Sequence, residues 1–235
     1  MFLRNLYNLR VIKYTMNKYI QNISSEMRLL AKHFNYSERT TLNRMRCNKE
    51  DPFRILVSCL LSLRTQDKNT EKASNMLFAE ADMPRKIIAL PMKKLEKLIY
   101  SSGHYKKKSR VLKSVSKEIL TRFNGKVPNT EEELLSIKGV GRKTANIVLS
   151  FAFCQQVLPI DTHCHRIPNR LGWVKTKTPE KTEFALREIL PKKYWMEFNG
   201  IFVLFGKTIC QPISPWCSKC PIQKYCPRIN VKRSR

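Results

Sequence analysis

Apolar side chains recur at helical spacing along most of the chain. Ile23, Met27, Leu30 and Phe34 lie three or four residues apart, which places them on one face of a helix. Asp51-Pro52 is a helix start, because aspartate caps a helix and proline suits its first position. A second apolar face follows this start and consists of Phe53, Leu56, Leu60 and Leu63.

The same pattern predicts helices through the rest of the chain. The polar stretch Arg64–Asp67 predicts a loop, and the helices expected after it cover residues 69–80, 84–90, 93–101, 106–123, 142–153 and 195–207. Thr130 and Glu133 form a capping box that opens a further short helix, and Thr178-Pro179 opens another. The predicted fold class is therefore all-α, with helices joined by short loops around two cores.

The composition agrees with a helical globular protein. Hydrophobic residues make up 42% of the chain and aromatic residues 9%, which is typical of folded domains. Only 7 glycines are present, too few for the many tight turns of a β-sandwich or barrel. No apolar run approaches the roughly 18 residues that a bilayer crossing needs, so a membrane-spanning protein is excluded.

The charge points to a polyanionic partner. Lys and Arg number 45 against 18 Asp and Glu, which gives a formal net charge of +27. This excess is self-repulsive unless a polyanion relieves it, and nucleic acid is the expected partner. Charge alone leaves open ribosomal-type binding, nuclease or repair chemistry, and non-specific coating of DNA. A membrane surface is less favoured, because the charge is not confined to one amphipathic segment.

The N-terminal residues 1–20 form a basic extension. Basic side chains interrupt it throughout, so it lacks the continuous apolar region of a secretory signal. With no secreted disulfide pattern in the chain, we expect a reducing, intracellular compartment. The arginine content resembles that of an organelle transit peptide, and Met16 is an alternative start.

The segment 106–123 is strongly basic. It carries one acid, Glu118, against Lys106, Lys107, Lys108, Arg110, Lys113, Lys117 and Arg122. Two interpretations remain open: a solvated helix face, or a face that meets phosphates.

Gly139-Val140-Gly141 lies between two predicted helices. Glycine lets a backbone approach a ligand closely, and the free N–H groups of the following helix attract an anion. An ordinary turn between helices would show the same residues, but Lys143 follows within the first turn of the second helix. The helix dipole there disfavours the charged form of an amine, which favours a nucleophilic lysine.

Asp161, in Ile160-Asp161-Thr162-His163, is a second candidate for chemistry. A carboxylate near Lys143 would stabilise an oxocarbenium-like sugar and move protons. The alternative for Asp161 is an ordinary helix N-cap.

The C-terminal cysteines form a compact pattern, Cys210-x6-Cys217-x2-Cys220-x5-Cys226. Four thiols this close together in a reducing compartment predict a metal site. The single C-x2-C pair is unusual for zinc, and the spacing also differs from that of ferredoxins. Zinc and an iron–sulfur cluster therefore both remain open on spacing alone. In either case the pinned loop would present nearby cations to a phosphate backbone.

Taken together, residues 135–146, Asp161-Thr162-His163 and the cysteine pattern closely resemble endonuclease III. This is a family of DNA glycosylases and lyases within the helix–hairpin–helix superfamily. The resemblance covers residues from about 25 to 228, and the motifs occur in the family's order.

The resemblance implies a fold and a set of roles. It implies a cluster domain built from 21–46 and 156–235, and a six-helix domain of 47–155 whose helix–hairpin–helix covers about 130–153, with DNA in the groove between them. Lys143 would be the Schiff-base lysine and Asp161 the catalytic aspartate. The four cysteines would bind a [4Fe–4S] cluster, while Gly139 and Gly141 would grip DNA phosphates.

Three positions depart from the family pattern. Lys138 replaces a frequent proline and adds a cation beside the phosphate. Arg64 stands where bacterial members have a glutamine that fills the gap left by a flipped base, and a guanidinium there would contact the orphaned base. His104 stands where an apolar wedge is common, although a surface-loop histidine would look the same.

The expected function is excision of oxidised pyrimidines such as thymine glycol from double-stranded DNA, followed by strand cleavage 3′ to the abasic site by β-elimination. The alternatives are a monofunctional mismatch glycosylase, which would lack the Lys143 amine, and a non-enzymatic DNA-binding module. We expect a monomer, because no heptad repeat is present. The expected location is on DNA, in the nucleoid of a prokaryote or the nucleus or an organelle of a eukaryote.

Overall fold

The computed structural model describes residues 19–34, 42, 45 and 49–235, and all regular secondary structure among them is helical. This agrees with the all-α prediction. The predicted basic extension lies almost wholly outside the described residues. The chain divides into two compact units, one of residues 39–159 and the other of residues 1–38 with 160–235.

The first described helix, α1 (Ile23–His33), belongs to the unit that contains both chain ends. The seven α-helices described in residues 39–159 are α2 (Pro52–Ser62), α3 (Asp67–Glu80), α4 (Pro84–Ala89), α5 (Met92–Leu98), α6 (Tyr105–Arg122), α7 (Glu131–Ser136) and α8 (Arg142–Ala152). Helix α2 is the apolar centre of this unit, with Leu56, Val57 and Leu61 fully buried against the other helices. The Asp51 side chain accepts the Phe53 N–H at 2.8 Å, which confirms the predicted helix start.

Two predicted boundaries in this unit are wrong. Asp67 belongs to helix α3 instead of the preceding loop, and an acidic first residue favours a helix N-terminus. The helix predicted over 93–101 divides into α5 and a 3₁₀ turn, Tyr100–Ser102. Gly103 and His104 then both have positive φ, which separates this turn from α6.

The other unit, residues 1–38 and 160–235, holds four described α-helices and three 3₁₀ turns. The helices are α1, α9 (Thr162–Arg170), α10 (Pro179–Ile189) and α11 (Trp195–Thr208), and the turns are Lys192–Tyr194, Cys217–Lys219 and Gln223–Tyr225. Its core is aromatic: Phe202 stacks on Phe198 at 4.1 Å between ring centroids and contacts Trp173 at 5.6 Å. The Trp173 indole N–H donates to the buried Glu26 carboxylate at 2.8 Å, which ties α1 into this core.

None of the described helices has both the length and the apolar character that a bilayer crossing requires.

Candidate functional site

Helices α7 and α8 and the residues between them form a helix–hairpin–helix. The Thr130 hydroxyl accepts the Glu133 N–H at 3.3 Å, which confirms the predicted helix start, and it donates to the Glu133 carboxylate at 2.6 Å in place of the backbone N–H of a full capping box. In the hairpin, the Val140 N–H donates to the Ile137 carbonyl at 3.0 Å, and both side chains are buried. These apolar anchors leave Lys138, Gly139 and Gly141 on the exposed side.

The two hairpin glycines serve different purposes. Gly139 has φ +101°, and a Cβ there would meet Val111 Cγ1 at 3.0 Å, so the fold itself requires glycine. Gly141 has an ordinary φ of −94°, and a Cβ built on it would meet no atom within 4 Å. The space beside Gly141 is therefore open to a ligand that approaches the start of α8.

Hydrogen bonds hold the hairpin against α6. The Lys138 N–H donates to the Glu118 carboxylate at 3.1 Å, while Arg122 donates to the Ser136 carbonyl and hydroxyl at 3.2 and 2.8 Å. The exposed hairpin therefore has a fixed position on the basic helix.

The basic side chains of helix α6 fall into two groups, one bonded within the protein and one exposed. Lys113 donates to the carbonyls of Ile88 and Leu90, and Lys108 is buried and fully hydrogen-bonded. The exposed cations are Lys106, Lys107, Arg110, Lys117 and Arg122. These exposed side chains are the ones most accessible to a phosphate backbone.

Lys143 is the second residue of α8 and is half-buried. It lies close enough to the buried Cys59 thiol on α2 for its charge to act there. The pKa of the Cys59 thiol is raised overall by burial, and the Lys143 charge and hydrogen bonds from Thr144 and Ser62 oppose part of this rise. The amine is therefore held at the start of α8, beside the apolar centre of its unit.

A cleft in the same unit brings together three of the predicted DNA-binding residues. Arg64, His104 and Gly139 line it together with Lys107, Lys108 and the apolar side chains of Leu60, Leu63 and Val111. Arg64 and His104 are exposed, and both have left-handed backbones, with φ of 56° and 46°. Such conformations are uncommon for residues other than glycine, and they concentrate at functional sites.

Asp161 is the N-cap of α9, as the structural interpretation predicted. One carboxylate oxygen, Oδ1, accepts the N–H groups of His163 and Cys164 at 2.9 and 2.8 Å. These bonds fix the orientation of the carboxylate, so capping and a catalytic role are compatible. The apolar pattern did not indicate α9, which is polar and contains Pro168, so only the N-cap alternative for Asp161 pointed to a helix here.

The four C-terminal cysteines line one cavity. Burial raises the pKa of Cys220 to about 12 and that of Cys226 to about 11. The backbone N–H of Arg228 donates to Cys226 Sγ at 3.4 Å. Among the described residues, no three His, Cys, Asp or Glu side chains converge on a position for a single metal ion.

Arg170 supports this cavity and carries no sequence signal of its own. Its guanidinium is buried and donates to Cys210 Sγ at 3.5 Å and to the carbonyls of Gln211 and Pro212 at 2.7 and 2.6 Å. It thereby fixes the start of the loop that the cysteines bracket.

Known proteins are similar to this chain in sequence and in fold. Residues 57–192 match the HhH-GPD superfamily of base excision DNA repair proteins. The chain is 48% identical to endonuclease III of Thermotoga maritima over 176 residues, which are 75% of this chain and 83% of that protein. It is 39% identical to the chloroplastic endonuclease III homolog 2 of Arabidopsis thaliana, over 81% of this chain and 54% of that longer protein.

A solved structure extends the similarity to the fold. A trapped endonuclease III–DNA covalent intermediate, described as an estranged-adenine complex, superimposes with a TM-score of 0.78 and 30% identity. The match covers 89% of this chain and 96% of the solved one.

Proposed function

The chain belongs to the endonuclease III family of base excision repair DNA glycosylases, and we propose that it excises oxidised pyrimidines and then cleaves the abasic strand. The observation that carries this proposal is Lys143, a lysine on the first turn after the hairpin. A monofunctional glycosylase or a DNA-binding module has no need of an amine at this position.

We assign the nucleophile to the Lys143 amine. In the proposed first step, Nζ forms a bond to the sugar C1′ as the bond from C1′ to the damaged base breaks. One amine proton leaves with the base. The C1′–O4′ bond then breaks as O4′ takes up the second proton, which leaves a Schiff base between Nζ and C1′ of the opened sugar. Loss of a C2′ proton then expels the 3′ phosphate, which is β-elimination, and water later releases the lysine.

We assign to Asp161 the stabilisation of the positive charge that develops on the sugar. A carboxylate held by two backbone N–H groups keeps one orientation, as this role requires. The same carboxylate is also proposed to move protons during the reaction.

The four cysteines Cys210, Cys217, Cys220 and Cys226 are proposed to hold a [4Fe–4S] cluster. The four cysteines line one cavity, and the N–H donors of Arg170 and Arg228 suit sulfur atoms that carry negative charge. The resemblance to endonuclease III favours a cluster over zinc. Bound there, the cluster would supply structural cross-linking of the loop, since neither base excision nor β-elimination transfers electrons between protein and substrate.

The DNA surface is proposed to include Gly139, Gly141 and Lys138 at the hairpin, with Arg64 and His104 at the cleft. The positive end of α8, beside the open space at Gly141, suits a phosphate. The exposed cations of α6 and the net charge of +27 would supply salt-dependent affinity for any duplex.

Borohydride trapping tests the proposal directly. A duplex with one thymine glycol would be incubated with the wild-type protein or with Lys143→Gln, and borohydride would reduce any Schiff base to a stable adduct. We expect an adduct with the wild-type protein only, and similar DNA affinity for both proteins.

An abasic duplex separates the two parts of the proposal. An adduct there but not with thymine glycol would retain the lyase and reject the substrate. Equal strand cleavage by Lys143→Gln and wild type would reject the lysine assignment altogether.

A further inference from the structure

Lys108 on α6 is a buried lysine whose hydrogen-bonding groups are all engaged. Only 8% of its surface is exposed. Its ammonium donates to the Leu61 carbonyl at 2.6 Å, to the Thr65 hydroxyl at 2.7 Å and to the Ser102 carbonyl at 2.7 Å. A lysine ammonium has three donors, so each is matched by one acceptor.

This side chain lies in the wall of the cleft, but unlike the exposed cations it is hydrogen-bonded to the protein itself. Burial lowers the pKa of Lys108 to about 8, while its three hydrogen bonds favour the charged form. The neighbouring Lys107 is exposed in the same cleft, with its ammonium accessible to solvent. Lys108 has no donor left for a phosphate, so its charge serves the protein itself.

The three acceptors come from three separate segments. Leu61 lies in the last turn of α2, where carbonyls lack helical partners, Thr65 lies in the following loop, and Ser102 ends the 3₁₀ turn before α6. The Thr65 hydroxyl also donates to the Ser102 carbonyl, so the loop and the turn are bonded to each other as well as to Lys108.

Two of these three segments, the loop after α2 and the turn before α6, adjoin the two residues of the cleft that have left-handed backbones. Arg64 directly precedes Thr65, and His104 follows Ser102 by two residues. Both side chains are exposed, so their own burial does not hold the left-handed backbones in place. A strained conformation persists only where surrounding contacts determine it, and the bonds of Lys108 are such contacts.

We propose that Lys108 is a positioning residue for base readout: it fixes the loop of Arg64 and the turn of His104 so that both face the cleft beside Gly139. The inference rests on the proposed function, because it assumes that these two residues contact the DNA around a flipped nucleotide. Lys108 lies in the cleft wall, but its three ammonium donors are engaged within the protein, so it acts through Arg64 and His104.

Lys113 provides a matched control on the same helix. Its ammonium also donates to backbone carbonyls, those of Ile88 and Leu90, neither of which lines the cleft. Lys108→Met and Lys113→Met each remove a positive charge and an internal hydrogen-bonding group while keeping most of the side-chain volume. Only the first removes support from Arg64 and His104.

The experiment measures the affinity of each protein for a duplex with a tetrahydrofuran abasic analogue and for the same duplex undamaged. The analogue would stand opposite 2-aminopurine, whose fluorescence reports whether the orphaned base is unstacked. We expect Lys108→Met to lower the ratio of the two affinities about tenfold and to reduce the fluorescence change, as loss of a good base contact would. Lys113→Met should keep the ratio within about twofold of the wild-type value.

A folded Lys108→Met protein with the wild-type affinity ratio and fluorescence would overturn the inference, as would an equal loss in Lys113→Met. Should Lys108→Met fail to fold, Thr65→Val removes one acceptor and the bond to Ser102. It should lower the ratio by a smaller factor, and an unchanged ratio would again overturn the inference. Because binding to the analogue needs no chemistry, the result is independent of borohydride trapping, which tests the proposed function.

Discussion

Gly206 on α11 lies directly against the imidazole of His163 on α9. A Cβ built on Gly206 would lie 2.8 Å from His163 Cγ and still closer to Nδ1, distances that real Cβ atoms do not adopt. His163 also donates its backbone N–H to Asp161, so this contact supports the turn that holds the proposed catalytic carboxylate.

Gly206→Ala should destabilise the protein, although alanine is the better helix former. The gain in helix propensity is about 1 kcal/mol, whereas forcing an added carbon into a packed core costs about 1–3 kcal/mol. We expect a lower free energy of unfolding in urea and slower single-turnover excision, because His163 must move and Asp161 with it.

Thr208→Ala, on an exposed position of the same helix, is the control and should stay close to the wild type. In the double variant Gly206→Ala with His163→Ala the clash is gone, so its loss of stability should be smaller than the sum of the two single losses. Strict additivity would contradict a steric cause.

Two variants of Asp161 should distinguish its role as a helix cap from its proposed catalytic role. Asparagine caps a helix about as well as aspartate, so Asp161→Asn should unfold at nearly the wild-type urea concentration. Asp161→Ala should lose about 0.5–2 kcal/mol of the free energy of unfolding. Both variants should lose base excision, because both lack the negative charge.

Excision would be followed in single turnovers, and urea unfolding by circular dichroism. Retention of full excision by Asp161→Asn would remove the carboxylate from the mechanism and leave Asp161 as a cap only.

Features that depend on contacts between residues near in sequence were predicted, whereas features that depend on distant contacts were not. The starts at Asp51-Pro52, Thr130 and Thr178 were predicted correctly, because a cap bonds to N–H groups two or three residues away. The contact of His163 with Gly206 joins two helices that are distant in sequence, and no local pattern reports it.

Helix α6 shows that the sequence also does not reveal which charged side chains are buried. Lys107 and Lys108 are adjacent lysines in one basic run, yet the first is exposed and the second is buried. Their difference arises from the acceptors supplied by α2 and by the turn before α6, which only the fold brings together. The spacing of the four cysteines predicted a metal site but left the metal open for a similar reason: the shape of the cavity is a tertiary property.

Cys220→Ser should reduce the iron content of the purified protein and its visible absorbance. The serine hydroxyl is a poor ligand for iron, and the cavity would be left with three thiols. We expect a substantial loss of the free energy of unfolding as well, since a bound metal group contributes its binding energy to folding.

Cys154→Ser is the matched control, because Cys154 is an exposed cysteine outside the cavity. Its iron content should equal that of the wild type. Full zinc occupancy and no iron in the wild-type protein, purified without oxygen, would contradict the cluster assignment.

Glu26 should make stability depend on pH. Burial raises the pKa of Glu26 to about 7 from an ordinary 4.5, against a smaller opposite effect of the Trp173 hydrogen bond. The folded state therefore binds this proton more tightly than the unfolded state, so the stabilisation is complete below about pH 4.5 and is lost as the pH rises through 7. Glu26→Gln should remove this dependence.

Urea unfolding of the two proteins at several values between about pH 5 and 8 checks the sign. The free energy of unfolding of Glu26→Gln minus that of the wild type should increase with pH, by at most about 3 kcal/mol for a shift of this size. Glu180→Gln, at an exposed position, should show no such trend. A difference that stays constant or decreases would mean that Glu26 is ionised in the folded protein at neutral pH.

Arg64 should show a conflict between stability and base readout. Its left-handed backbone, with φ of 56°, is unfavourable for arginine by about 1 kcal/mol and better tolerated by asparagine. Arg64→Asn should therefore unfold at the same or a higher urea concentration. The short amide cannot replace a guanidinium that reaches an orphaned base, so discrimination between guanine and adenine opposite thymine glycol should fall by a factor of about 5 or more.

Lys49 offers the control for this prediction. It too is exposed and left-handed, with φ of 51°, but it does not line the cleft of Arg64 and His104. Lys49→Asn should give the same small gain in stability and leave the ratio of excision rates opposite the two bases unchanged. If both variants changed this ratio equally, the effect would come from the lost positive charge, and Arg64 would have no specific role in reading the opposite base.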